Sequence, residues 1–175
     1  LGVAAAARHL AGLYGSDADA AEVAALLHDA AKQKPLEEMQ ALAGRSFTDL
    51  PAPIFNIGSL LHGYAAVTLA REQYGIDDPD ILSAIAHHTT GAETMGKLEK
   101  IIFMADYIEV NRDFDGVEAL RQAAERDLDE AVLLGYDSTI RHLLDQKKPI
   151  FIGTVVNRNA HISAMMKAAA RKAGR

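Results

Sequence analysis

Cysteine is absent from this 175-residue chain. That excludes a disulfide framework, a thiolate metal site and a thiol nucleophile. Positive charge is in deficit: 18 Lys and Arg stand against 24 Asp and Glu, a formal net charge of −6. Broad nucleic-acid binding needs clustered Lys and Arg, so that class falls away, while a polyphosphate stays within reach of local cations or a metal. No signal peptide and no apolar run long enough to span a bilayer is present. A cytoplasmic protein without a membrane partner is expected. Aromatics make up only 6 % of a chain that is 49 % hydrophobic and rich in alanine. Small side chains with few β-branched runs favour close-packed helices, so the expected class is all-α, a helical bundle of one domain over residues 1–175. The chain opens on Leu1 within an apparent helix, and a missing extreme N-terminus is expected.

Along the chain, helical signals recur with recognisable stops. Leu1 to Tyr14 reads as an apolar helix ended by Gly15. Ser16 and Asp17 offer cap oxygens for a helix to about Lys32, with His28 and Asp29 in its last turns. Pro35 is placed to open a short helix through Ala43, ended by Gly44. Arg45 to Asn56, with its Leu-Pro-Ala-Pro, predicts a loop. Further helices are expected from Gly58 to Tyr74, from Asp78-Pro79 to His87-His88, and from Lys97 to Glu109. Val117 to Glu125 and Leu128 to Gln146 follow. An extended connector then leads to a last helix capped by Thr154 and ending in the basic tail Arg171 to Arg175, whose last residues are expected to fray.

The organising stretch is Ala24-Ala-Leu-Leu-His28-Asp29-Ala-Ala-Lys32. Burying a histidine beside a carboxylate is costly without compensation, and a divalent cation is a strong compensator. Neighbours on a helix point about 100° apart, so both reach one ion only over the helix edge, with other helices supplying further ligands. Candidates recur near successive helix ends: His62, His87 and His88, then Asp106, an acid where the stripe Leu98, Ile101, Ile102 and Ala105 predicts burial. A bundle can bring such residues into one cavity. A His and Asp site without Cys suits iron, manganese or other borderline metals with open water positions. Taken singly, each of these residues also has a plain structural explanation, and His142 and His161 read as structural or exposed.

These motifs carry a family resemblance. Leu26-Leu27-His28-Asp29-Ala30-Ala31-Lys32, Leu61-His62-Gly63, Ala86-His87-His88-Thr89-Thr90-Gly91, Leu98 to Glu109 and Arg112-Asp113-Phe114 resemble, in order and spacing, the YqeK-like branch of the HD-domain metal-dependent phosphohydrolases. The resemblance covers essentially the whole chain. It implies symmetrical hydrolysis of diadenosine tetraphosphate to two ADP by metal-activated water, with iron as the expected metal, divalent or mixed-valence. It carries metal ligation onto His28, Asp29 and Asp106, and adds a histidine just ahead of Leu1. It carries nucleotide binding onto Asp29, Ala30, Ala31, Lys32, His62, His88, Thr89, Asp106, Arg112 and the connector Pro149, Ile150, Phe151, Ile152, Gly153 and Thr154. Asp29, His62 and His88 take the catalytic roles. Lys32 can neutralise a phosphate, Arg112 offers a fork of donors, and His62 and His88 can hydrogen-bond or protonate phosphate oxygens. The partners implied are a small dinucleoside polyphosphate and ADP, not nucleic acid; a homodimer stays open. Two alternatives also stay open: another HD nucleotide phosphohydrolase, or a non-catalytic nucleotide-binding regulator if the upstream histidine is absent.

Overall fold

The computed structural model describes residues 2–174, so expectations for Leu1 and Arg175 lie outside the described residues. Within them the chain forms ten helices and no strand, the all-α class that the alanine-rich composition implies.

Helix α1 (Gly2–Tyr14) ends at Gly15, whose φ of +63° is a left-handed stop that glycine adopts without strain. Asp17 caps α2 (Ala18–Leu27), its carboxylate accepting from the Asp19 and Ala20 amides. Such a cap contributes about 1 kcal/mol. Asp78 and Asp127 repeat the device at α6 (Pro79–His87) and α9 (Leu128–Asp145). Between α2 and α6 lie α3 (Leu36–Ser46), α4 (Ala52–Phe55) and α5 (Gly58–Tyr74); α7 (Lys97–Ile108), α8 (Val117–Arg126) and α10 (Ile152–Ala173) complete the set.

Four boundaries differ from the sequence expectation. Helix α2 stops at Leu27 rather than near Lys32, because the following residues pair three apart, from Ala30 N–H to Leu27 O and from Lys32 N–H to Asp29 O. Helix α3 runs through Gly44 to Ser46, since nothing there requires a left-handed backbone. The expected loop 45–56 contains α4, which uses Pro51 as its cap and Pro53 in its first turn. The last helix begins at Ile152 with Phe151 as its cap residue, so Thr154 is not a cap; its side chain is buried one turn in.

The core lies where α5 passes between α3 and α6. Every residue from Leu61 to Ala70 is buried, so α5 is covered on all sides. The stripe Leu98, Ile101, Ile102 and Ala105 of α7 is buried as its spacing predicts. Small residues set the spacing between helices: a Cβ on Gly63 would stand 2.8 and 2.9 Å from the carbonyl oxygens of Ile85 and Ala86. Helices α5 and α6 therefore approach backbone to backbone at the level of the polar cluster.

Candidate metal centre

Five side chains from four segments converge at one end of this core. His28 is the C-cap residue of α2, and Asp29 begins the tight turns that follow. His62 comes from the first turns of α5, His88 from the end of α6, and Asp106 from the last turn of α7. The three histidines are buried, while Asp29 and Asp106 are partly accessible.

Each imidazole is oriented by its own backbone. His28 Nδ1 lies 2.6 Å from Ala25 O, His88 Nδ1 2.8 Å from Ile85 O, and His62 Nδ1 3.3 Å from Gly58 O. A carbonyl only accepts, so each Nδ1 carries the proton and each Nε2 presents a lone pair. Those lone pairs meet. His62 Nε2 and His88 Nε2 are 2.9 Å apart, a contact that two bare lone pairs would oppose and that a shared proton or a cation relieves.

The carboxylates close the cluster. Asp29 Oδ1 lies 3.2 Å from His62 Nε2 and 3.5 Å from His88 Nε2, and Asp29 Oδ2 lies 3.5 Å from His28 Nε2. Asp106 Oδ1 is 3.9 Å from His28 Nε2, well inside the reach of one ion. Despite these approaches, His28 Nε2 and Asp29 Oδ1 are buried with no hydrogen-bond partner; His62 is near Asp29 Oδ1 but not aligned to donate. A buried, unpaired polar atom costs about 1–3 kcal/mol, and a cation satisfies both atoms at once. Donors held about 2.1 Å from one ion stand roughly 3–4 Å apart, the range of distances here. Two donor sets fit: His28, His88 and Asp106, and Asp29, His62 and His88.

The electrostatics agree. Burial, and then the neighbouring His88, pushes His28 down, against the pull of Asp29, so it is held in the neutral form that ligates metals. Burial by itself would raise Asp29. The adjacent His62, His88 and Lys32 outweigh it and hold the carboxyl well below the usual carboxylate range.

Two cations flank the cluster. Lys32 Nζ donates to Asp29 Oδ2 at 2.7 Å, and Arg112 donates to Asp106 Oδ1 at 2.5 Å and to its backbone oxygen at 2.8 Å. Arg112 thus clamps a candidate metal ligand, which its sequence position did not reveal. A cavity of about 530 Å³ opens beside them, lined by Lys32, Lys34, Met39, His62, Thr89 and Asp106 among others. Of the remaining residues the resemblance pointed to, Ala30 is exposed and Ala31 is fully buried. Pro149 to Thr154 line neither this cavity nor the second one described below. Phe151 instead packs on the core, and Asn157 beyond it donates to Thr90 O at 3.0 Å. His87 turns away to Glu99, 2.6 Å distant. The sequence reading grouped His62, His87 and His88 with His28, Asp29 and Asp106 as candidate ligands; the structure brings all of them together except His87.

Residues 1–111 match the profile of the HD domain. The chain belongs to the HD-domain family. The sequence His28-Asp29 lies within the matched residues, and the likeness to relatives extends beyond them. A Halalkalibacterium halodurans protein named symmetrical bis(5'-nucleosyl)-tetraphosphatase is 43 % identical, over 91 % of this chain and 84 % of its own. The Bacillus subtilis protein of the same name is 38 % identical, over 93 % and 87 %. A crystal structure described as a predicted HD superfamily hydrolase involved in NAD metabolism, from Clostridium acetobutylicum, superposes with a TM-score of 0.88 at 43 % identity, over 94 % of this chain and 87 % of that one. The HD-domain assignment agrees with a divalent-metal reading of the cluster. Among the described residues no helix is long and apolar enough to cross a membrane.

Proposed function

We propose that this HD-domain chain hydrolyses diadenosine tetraphosphate symmetrically to two ADP, at a centre formed by His28, Asp29 and Asp106. The observation that carries this reading is the pair of buried, unpartnered atoms His28 Nε2 and Asp29 Oδ1, set among cations beside an open cavity. The relatives' names supply the substrate.

The proposed metal is iron, suited to an imidazole and carboxylate set without sulfur. When bound, such an ion neutralises charge on a phosphoryl oxygen and acidifies a water molecule. The chain's own residues do the rest. Asp29 both holds the ion and orients the attacking water. Lys32 and Arg112 offset charge on the equatorial oxygens of the phosphorus under attack, which is most of what an enzyme contributes to phosphoryl transfer. His62 and His88, whose Nε2 atoms are 2.9 Å apart, can hold one proton between them and pass it to the departing phosphate. The start of α1 abuts Glu109 and Asn111, just beyond Asp106.

The test is product analysis with Asp29→Ala as the control. The wild-type chain should release only ADP, and a chelator should abolish that release. Asp29→Ala should fall by at least about a thousandfold, as the loss of several kcal/mol of barrier reduction requires, with its circular dichroism unchanged. ATP and AMP as products would overturn the symmetrical cut. Near-normal ADP release from a folded, metal-free Asp29→Ala protein would overturn the mechanism.

A further inference from the structure

A symmetrical cut demands something the first cavity does not provide. The substrate has two chemically equal halves, and with its central phosphates at the cluster each half must leave in its own direction. The cavity beside Lys32 and His62 is about 530 Å³, a size typical of a site for one small molecule. A second groove, of about 740 Å³, runs between the end of α7, the turn before α8, and the C-terminal half of α9. The two cavities share Asp106 and no other lining residue.

We propose that this second groove binds the other nucleoside diphosphate half of the substrate, an inference that rests on the hydrolytic reading above. Its lining sets the cations Arg112 and Arg141 beside the acids Asp115 and Asp145, together with apolar and hydrogen-bonding side chains. At the Asp106 end stands Arg112, half-exposed, with its guanidinium fully charged beside the Asp106 carboxylate, a fork suited to phosphate oxygens. Phe114 and Leu134 supply partly buried apolar surface for the face of a base. Ser138 and Gln146 offer the hydrogen-bonding groups a ribose or base edge requires. The volume lies inside the range of about 300–1,000 Å³ typical of small-molecule sites. The α9 wall from Leu134 to Gln146 spans roughly 18 Å at the rise of an α-helix, comparable to an extended nucleoside diphosphate. Gly116, at φ +96°, turns the chain into α8 and leaves its outer side open.

The test counts ADP. By equilibrium dialysis with labelled ADP, the metal-loaded wild-type chain should bind two molecules at saturation. Ala119→Trp, an exposed position on α8 that lines the groove, should bind one. Arg141→Glu, exposed on α9 at the same groove, serves as a second variant should the first fail to fold. Each should raise KM for diadenosine tetraphosphate at least about tenfold, equivalent to losing ~1.4 kcal/mol of binding. A wild-type chain that saturates with one ADP overturns the proposal. So do folded variants that still bind two, or that bind none, and so does an unchanged KM. A wild-type chain that does not cleave the substrate at all overturns the hydrolytic reading instead, whatever the variants bind.

Discussion

Gly63→Ala isolates the contact between α5 and α6 on which the cluster depends. The added methyl would stand 2.8 Å from Ile85 O, 2.9 Å from Ala86 O and 3.1 Å from His88 Nδ1. Two of these neighbours are backbone atoms of a packed helix and cannot swing aside, so α5 and α6 must separate by several tenths of an ångström. Overpacking of this kind costs about 1–3 kcal/mol, against about 1 kcal/mol gained by replacing glycine with alanine in a helix. The net is a loss of up to about 2 kcal/mol, a Tm lower by up to about 4–8 °C. The effect on chemistry should exceed the effect on stability. Ile85 O is the acceptor that fixes the His88 ring, so the same displacement shifts Nε2 relative to His62 and Asp29. A misplacement of about 1 Å can cost a hundredfold, so several tenths should cost about tenfold in kcat. Differential scanning calorimetry and ADP release, measured at a temperature where both proteins are folded, check the two effects separately. A Gly63→Ala protein that melts at or above the wild-type temperature with unchanged kcat would refute the reasoning.

Gly44→Ala is the converse case: it lies within α3 with open space around its absent Cβ, and should stabilise by about 0.5–1 kcal/mol, read as a Tm higher by about 2–4 °C. Arg112→Ala should weaken both ADP binding and metal retention, because the guanidinium braces Asp106 as well as facing phosphate; titration calorimetry with ADP and metal analysis after gel filtration measure the two, and unchanged values in both would discard the role. For His28, whose folded pKa is lowered, the sign is fixed: its contribution to stability is complete above the unfolded value of about 6.5 and is lost as pH falls through the folded value. Nitrogen-15 NMR of the metal-free protein should therefore show His28 still neutral at pH 6.5, and a protonated ring at that pH would contradict it.

The helices were legible because apolar spacing and Asp, Pro and Gly punctuation act locally. Asp17, Asp78 and Gly15 stand at the boundaries their chemistry predicts. Gly44 misled because an exposed helix can carry a glycine at modest cost, and the end of α2 was placed too late because tight turns and helix share the same residue preferences. His28, Asp29 and Asp106 could be singled out as polar groups in apolar runs, and their convergence follows from packing. The close pairing of His62 with His88 could not be foreseen, since it depends on the separation of α5 from α6. Nor could the Arg112 clamp, which is made by the turn after α7.

The tie between each imidazole and a carbonyl three or four residues earlier in its own helix has a further consequence. None of the three rings needs a neighbouring side chain to aim it, so the histidine half of the centre has no loop to tighten and no hinge to fail, unlike Asp29 and Asp106, which the turns after α2 and α7 hold. Its geometry is a readout of how α2, α5 and α6 are stacked. Heating or denaturant should leave donor spacing intact until those helices part, and then destroy it in the same step. Metal release, loss of turnover and loss of tertiary structure should follow one curve, as though the bundle were a single mechanical part with the metal centre as its gauge.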